Sequence, residues 1–137
     1  MKYLKKYNES ESNEYFSEIT KEEFINQSYP VEFNLDELNK ISNYLKTLSS
    51  ESYGYLIKME EGRFQDKAII KSYRRFGGGI KTDLLMDIYS DVDEWYYVFL
   101  NSQLINHSED WNVKFIKCDQ FEGLMFFLKS LNLKSYV

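Results

Sequence analysis

The chain has 137 residues, 17 basic and 22 acidic side chains, and a formal net charge of −5. Its 43% hydrophobic and 18% aromatic content suffices for one buried core, which excludes wholesale disorder. The single cysteine, Cys118, excludes an internal disulfide and an all-cysteine metal site; no apolar run nears the roughly 18 residues that span a bilayer, and Met1 to Ser10 lack the apolar core of a signal peptide.

The expectation is therefore a soluble, unsecreted, cytoplasmic protein. Residues 1–19, with Glu9, Glu11, Glu14 and Glu18 among Asn and Ser, show no sustained apolar period and read as a polar tail preceding a single domain over 20–137. Thr20 followed by Glu23 is a capping box that starts a short helix near 20–27, and Tyr29-Pro30 ends it, because the residue before proline is pushed out of the α region. Asn34 with Glu37 marks a second start. Leu35, Leu38, Ile41, Leu45 and Leu48 then recur at steps of three and four, the stripe of an amphipathic helix over about 34–48.

The period changes from 3.6 to 2 at Tyr53, where Tyr53, Tyr55, Ile57 and Met59 alternate with Gly54, Leu56, Lys58 and Glu60. Glu61-Gly62 turns the chain into a second strand over about Asp66 to Tyr73. After the triple glycine Gly77 to Gly79 a third strand resumes at Ile80, with Leu84, Met86 and Ile88 on one parity and Asp83, Asp87 and Tyr89 on the other. Asp91 to Glu94 is a turn. Trp95 to Leu100 is apolar or aromatic at every position and reads as a central strand, and Trp111, Val113 and Phe115 open a fifth. Asp119 and Glu122 repeat the capping pattern before Phe121, Leu124, Leu128 and Leu131 trace a helix over about 119–131. The order predicts an α+β fold: a five-stranded antiparallel meander with helices at both ends of the run covering one face.

Charge is distributed unevenly along the chain. Residues 1–62 carry 7 basic and 12 acidic side chains, residues 63–82 carry 6 and 1, and residues 83–137 carry 4 and 9. The basic island comprises Arg63, Lys67, Lys71, Arg74, Arg75 and Lys81, interleaved with Phe64, Tyr73 and Phe76 beside Gly77, Gly78 and Gly79. Cations among aromatics hold phosphate and stack bases, and glycines admit a ligand close to the backbone; the plain alternative is a hairpin whose charges pair with the acidic helices. Gly79-Ile80-Lys81-Thr82 departs from a phosphate-binding loop, which needs glycine directly before the lysine and a helix after it.

Other chemistry is sparse. Asp83, Asp87, Asp91 and Asp93 share one parity beside Glu94, but Asp83 and Asp87 lie about 13 Å apart on an extended strand at roughly 3.3 Å per residue, too far to share one ion. His107 stands in a polar loop beside Ser108, Glu109 and Asp110, where adjacent side chains do not converge as a triad requires. Cys118 precedes a helix start, which lowers thiol pKa values, yet its parity with Ile116 points inward. No metal or cofactor is expected. Tyr53, Tyr55, Tyr89 and Tyr96 are candidate anchors for a protein interface.

Asp93-Glu94-Trp95-Tyr96-Tyr97-Val98, followed by Lys117-Cys118-Asp119-Gln120-Phe121-Glu122-Gly123-Leu124, resembles short uncharacterised proteins of large DNA viruses. The resemblance covers about the last third of the chain and implies a shared fold and no activity; it would place the protein in the host cytoplasm or the virion. The leading expectation is a small non-enzymatic protein-binding module, an assembly component or inhibitor that meets a protein partner or further copies of itself and no membrane. The second is nucleic-acid or phosphate binding through the basic hairpin 63–82. The third is an enzyme built on the carboxylates of residues 83–94.

Overall fold

The computed structural model describes residues 15–26, 30–31, 33–61, 66–91, 93–101 and 113–137. Among them are strands β1 (Phe16–Ile19), β2 (Pro30–Val31), β3 (Tyr53–Glu60), β4 (Lys67–Phe76), β5 (Gly79–Asp91), β6 (Trp95–Asn101) and β7 (Val113–Asp119), and helices α1 (Lys21–Ile25), α2 (Leu35–Thr47) and α3 (Gln120–Ser130). The fold is α+β. Strands β3 to β7 form the expected five-stranded antiparallel meander, extended by two strands to the order β1-β7-β6-β5-β4-β3, with β2 pairing the end of β5.

The expected tail thus gives up residues 16–19 to an edge strand, in register Phe16↔Cys118 to Ile19↔Phe115; residues 1–14 lie outside the described residues. The Tyr15 carbonyl accepts the Asp119 N–H at 2.7 Å and fixes where β1 begins. Gly123 permits this, since a Cβ there would stand 2.5 Å from the Tyr15 oxygen.

Local chemistry sets the helix starts. Thr20 Oγ1 accepts the Glu23 N–H at 3.1 Å while Glu23 Oε1 accepts the Thr20 N–H at 3.1 Å, so the capping box forms. The Asn34 side chain accepts from the N–H groups of Asp36 and Glu37 at 2.8 and 3.2 Å. Asp119 departs from expectation: it precedes α3 but makes no side-chain cap. Gln120 has a left-handed φ of 61°, and its N–H reaches the Glu94 carbonyl at 2.9 Å, so the strand-to-helix corner is held by backbone bonds instead.

The stripe of α2 and that of α3 cover one sheet face. Ile41, Leu45, Leu124 and Leu128 meet Ile70, Met86, Ile88 and Val98 there, all of them fully buried. The order of elements predicts helices at both ends of the run on that one face, but α1 lies on the other. Its Phe24 packs edge-on or tilted against Tyr89, Tyr97, Phe99 and Phe115 at centroid distances of 5.7, 6.4, 6.3 and 4.9 Å. A second correction concerns β5. Ile70 pairs with Met86 and Lys71 with Leu84, which leaves Leu85 as an extra residue. This bulge reverses the parity, so Leu84 leaves the Met86 face and is 37% exposed.

Register also fixes which turns share an end. The β4–β5 turn lies at one end, with Tyr53 opposite Arg74; α2, 13 residues and about 20 Å long at roughly 1.5 Å per residue, ends short of it. The β5–β6 turn and the starts of α2 and α3 lie at the other, where the Tyr96 hydroxyl donates to Glu37. The 13 residues of β5 separate the two ends, roughly 40 Å at about 3.3 Å per residue.

Candidate interaction surface

The candidate surface is the tip of the β4–β5 hairpin. Phe76 pairs with Gly79, leaving Gly77 and Gly78 as a two-residue turn. Gly77 has φ 44° and no positive φ occurs at Gly78, the pattern of a type II′ turn, which demands glycine first and matches the twist of the strands it joins. At Gly78 and Gly79 an added Cβ would meet nothing within 4 Å.

A two-residue turn dictates what stands opposite what. Arg75 faces Ile80, and Arg74 faces Lys81. Two cations directly opposite on one sheet face repel, and the only ion pairs of the basic island among the described residues are those of Lys67. Its ammonium lies 3.0 Å from Asp87 Oδ2 and 3.7 Å from Glu60 Oε1. The hairpin charges therefore do not pair with the acidic helices within the described residues. Arg74 lies over the Phe76 ring, 5.9 Å from its centroid. Phe76 and Ile80 are each 56% exposed, and with Arg75 and the three glycines they line an open, shallow cleft of about 430 Å³. Sequence reasoning passed over Ile80; the two-glycine turn, which sets it opposite Arg75, was the signal that marks it.

The remaining candidates divide by location. Arg63 and His107 lie outside the described residues. Lys71 is half-buried beside the bulge. Of the tyrosines proposed as anchors, Tyr55 and Tyr96 belong to the core at 8% and 5% exposure. Tyr55 donates to the Lys134 carbonyl at 2.9 Å, and burial, with Tyr136 beside it, pushes its pKa up to about 12. Burial and the Glu37 carboxylate raise Tyr96 further. Tyr89 is half-buried under Phe24, and Tyr53, though 43% exposed, stacks on Tyr136 at 5.5 Å.

The carboxylates of residues 83–94 do not converge. The bulge places Asp83 beside Ser72 on the helix face while Asp87 faces Ile69 on the other. Asp87 is engaged by Lys67, whose pKa burial lowers and the carboxylate more than restores, to above the usual lysine value. Asp91 Oδ1 accepts the N–H groups of Asp93 and Trp95 at 3.0 and 3.1 Å, forming the turn rather than a site. Burial of Tyr97, and Asp91 beside it, push the tyrosine up to about 12. Among the described residues no group of three His, Cys, Asp or Glu could hold a metal. Cys118 is fully buried, and desolvation raises its pKa, so it is held as an inert thiol.

Among the described residues no helix is long and apolar enough to cross a membrane. No protein-family model, curated protein or solved structure matches the chain.

Proposed function

We propose that this chain is a non-enzymatic docking module whose β4–β5 hairpin tip engages an acidic, partly apolar protein surface. The observation that carries the reading is the pairing at the tip: Arg74 stands opposite Lys81 without a carboxylate partner among the described residues, beside exposed Phe76 and Ile80. Opposed cations gain most from an anion placed between them, and adjacent apolar side chains gain area when covered. A hairpin held by ladder hydrogen bonds presents these groups without a large ordering cost. The resemblance to viral proteins fits an assembly component or an inhibitor and selects neither.

A phosphate-bearing ligand is the second reading, favoured by the open glycine backbone at the tip. Fluorescence anisotropy separates the two, using a labelled peptide that alternates Glu with Leu and a single-stranded DNA of equal charge. Docking predicts that the peptide binds more tightly than the DNA. Arg74→Glu/Arg75→Glu/Lys81→Glu should weaken it at least ~10-fold, as should a rise from about 50 to about 500 mM salt, and Phe76→Ser/Ile80→Ser should weaken it at unchanged salt dependence. Peptide affinity unaltered by the charge reversal would refute the docking reading. Tighter capture of DNA, lost in the same variant, would select phosphate.

A further inference from the structure

Among the described residues, charge is sorted along the long axis of the sheet. At the hairpin end stand Arg74, Arg75 and Lys81, all exposed; Asp83, opposite Ser72, is the acid nearest them in the ladder. At the other end stand Asp36, Glu60, Glu61, Asp93, Glu94 and Glu122, also exposed. Of the cations at that end, Lys67 is occupied by Glu60 and Asp87, Lys117 lies over the Trp95 ring at 4.0 Å and Lys40 over the Phe121 ring at 5.9 Å; with exposed Lys58 beside Glu60 they leave the six acids in excess. The two ends are roughly 40 Å apart at about 3.3 Å per residue of β5. That is several times the screening length of about 8 Å at physiological salt, so neither end neutralises the other within one molecule.

We infer that the acidic surface engaged by the hairpin is the opposite end of a second copy of this chain, so that molecules join end to end. The inference rests on the docking reading above and names its partner. Charge complementarity is met by the molecule itself, and an apolar counterpart is present: Leu35, 69% exposed, opens α2 beside Asp36 and faces solvent at the acidic end. The Tyr96 hydroxyl donates to Glu37, and the Gln120 N–H donates to the Glu94 carbonyl, which brings the α2 start, the β5–β6 turn and the α3 start together as one acidic surface. Joining hairpin to hairpin would bring four or more cations together and is disfavoured. Each end-to-end contact leaves one hairpin and one acidic end unused, so the contact propagates beyond a dimer.

The test is sedimentation of the full chain as wild type, as Arg74→Glu/Arg75→Glu/Lys81→Glu, as Asp93→Lys/Glu94→Lys/Glu122→Lys, and as an equimolar mixture of the two variants. Far-UV circular dichroism confirms that each variant folds. Wild type should show average mass rising past the dimer with concentration, its association constant falling ~10-fold or more between about 50 and about 500 mM salt. Each variant alone keeps only one of the two complementary ends and should sediment as a monomer. Their mixture restores complementary ends and should associate again. Wild type monomeric at every concentration, association that stops at the dimer, a variant that associates like wild type, or a mixture that stays monomeric would each overturn the inference. Binding of the acidic peptide by a monomeric wild type would leave the docking reading standing, whereas loss of that binding as well removes both.

Discussion

Replacing Gly123 with alanine tests how the edge of the sheet is attached. The new Cβ would lie 2.5 Å from the Tyr15 carbonyl oxygen and 3.4 Å from its carbon, both backbone atoms that no rotamer change can move. That oxygen accepts the Asp119 N–H at 2.7 Å at the point where β1 meets β7. Relieving the overlap must displace Tyr15, which costs about 1–3 kcal/mol in strain and leaves a buried N–H unpaired at a further cost of about 1–3 kcal/mol. Alanine recovers about 1 kcal/mol of helix propensity in α3. The net expectation is a loss of about 3 kcal/mol, read as a lower urea midpoint at unchanged slope and as faster hydrogen exchange at the Asp119 amide. Gly78→Ala is the control, because a Cβ there meets nothing within 4 Å. A Gly123→Ala protein as stable as wild type would refute the reasoning.

Lys67→Met should destabilise by about 3 kcal/mol, since it strips the partner from a buried Asp87 carboxylate; the double variant Lys67→Met/Asp87→Leu should regain most of that in the same urea titration. Tyr55 and Tyr97 titrate near 12 when folded against 10.0 as the reference value. Their contribution to stability is therefore complete below about pH 10 and is lost as pH rises towards 12, so the last fraction of tyrosinate absorbance should appear together with loss of far-UV ellipticity, and ionisation of all tyrosines in a folded chain would contradict it. Cys118 should react with a thiol reagent only at the rate of unfolding, because it is fully buried and its pKa is raised; rapid labelling of the native protein would show an opening the packed core does not allow.

The parts of the fold legible in the sequence are those where one periodicity holds over several turns or residues. The 3-4 spacing from Leu35 to Leu48 and the all-apolar Trp95 to Leu100 are both unambiguous, and each became the element expected. The bulge at Leu85 was illegible because Leu84, Leu85 and Met86 are all apolar, so nothing in their pattern says which of them is supernumerary. Strand β1 was hidden by length: Phe16 to Ile19 offers four residues, too few to display an alternation, and it is held by its pairing with β7, the space over Gly123 and Phe16 packed edge-on against Phe127. Phe24 went to the back face because the exposed sheet surface there is aromatic, a fact that depends on the pairing of four strands. At the candidate surface the basic island was plain, yet the opposition of Arg74 and Lys81 needed the turn length as well.

The order of strands sets the order of assembly. Every pairing from β3 to β7 joins neighbours in sequence, so each hairpin closes a short loop and the meander can grow one strand at a time. The β1–β7 seam is different: Phe16 and Cys118 lie about a hundred residues apart, and such a closure is repaid only once β7 already has its place beside β6. The first described strand is thus the last that topology allows to dock, and the slow phase of refolding should report on β1 while the rest of the sheet is already formed.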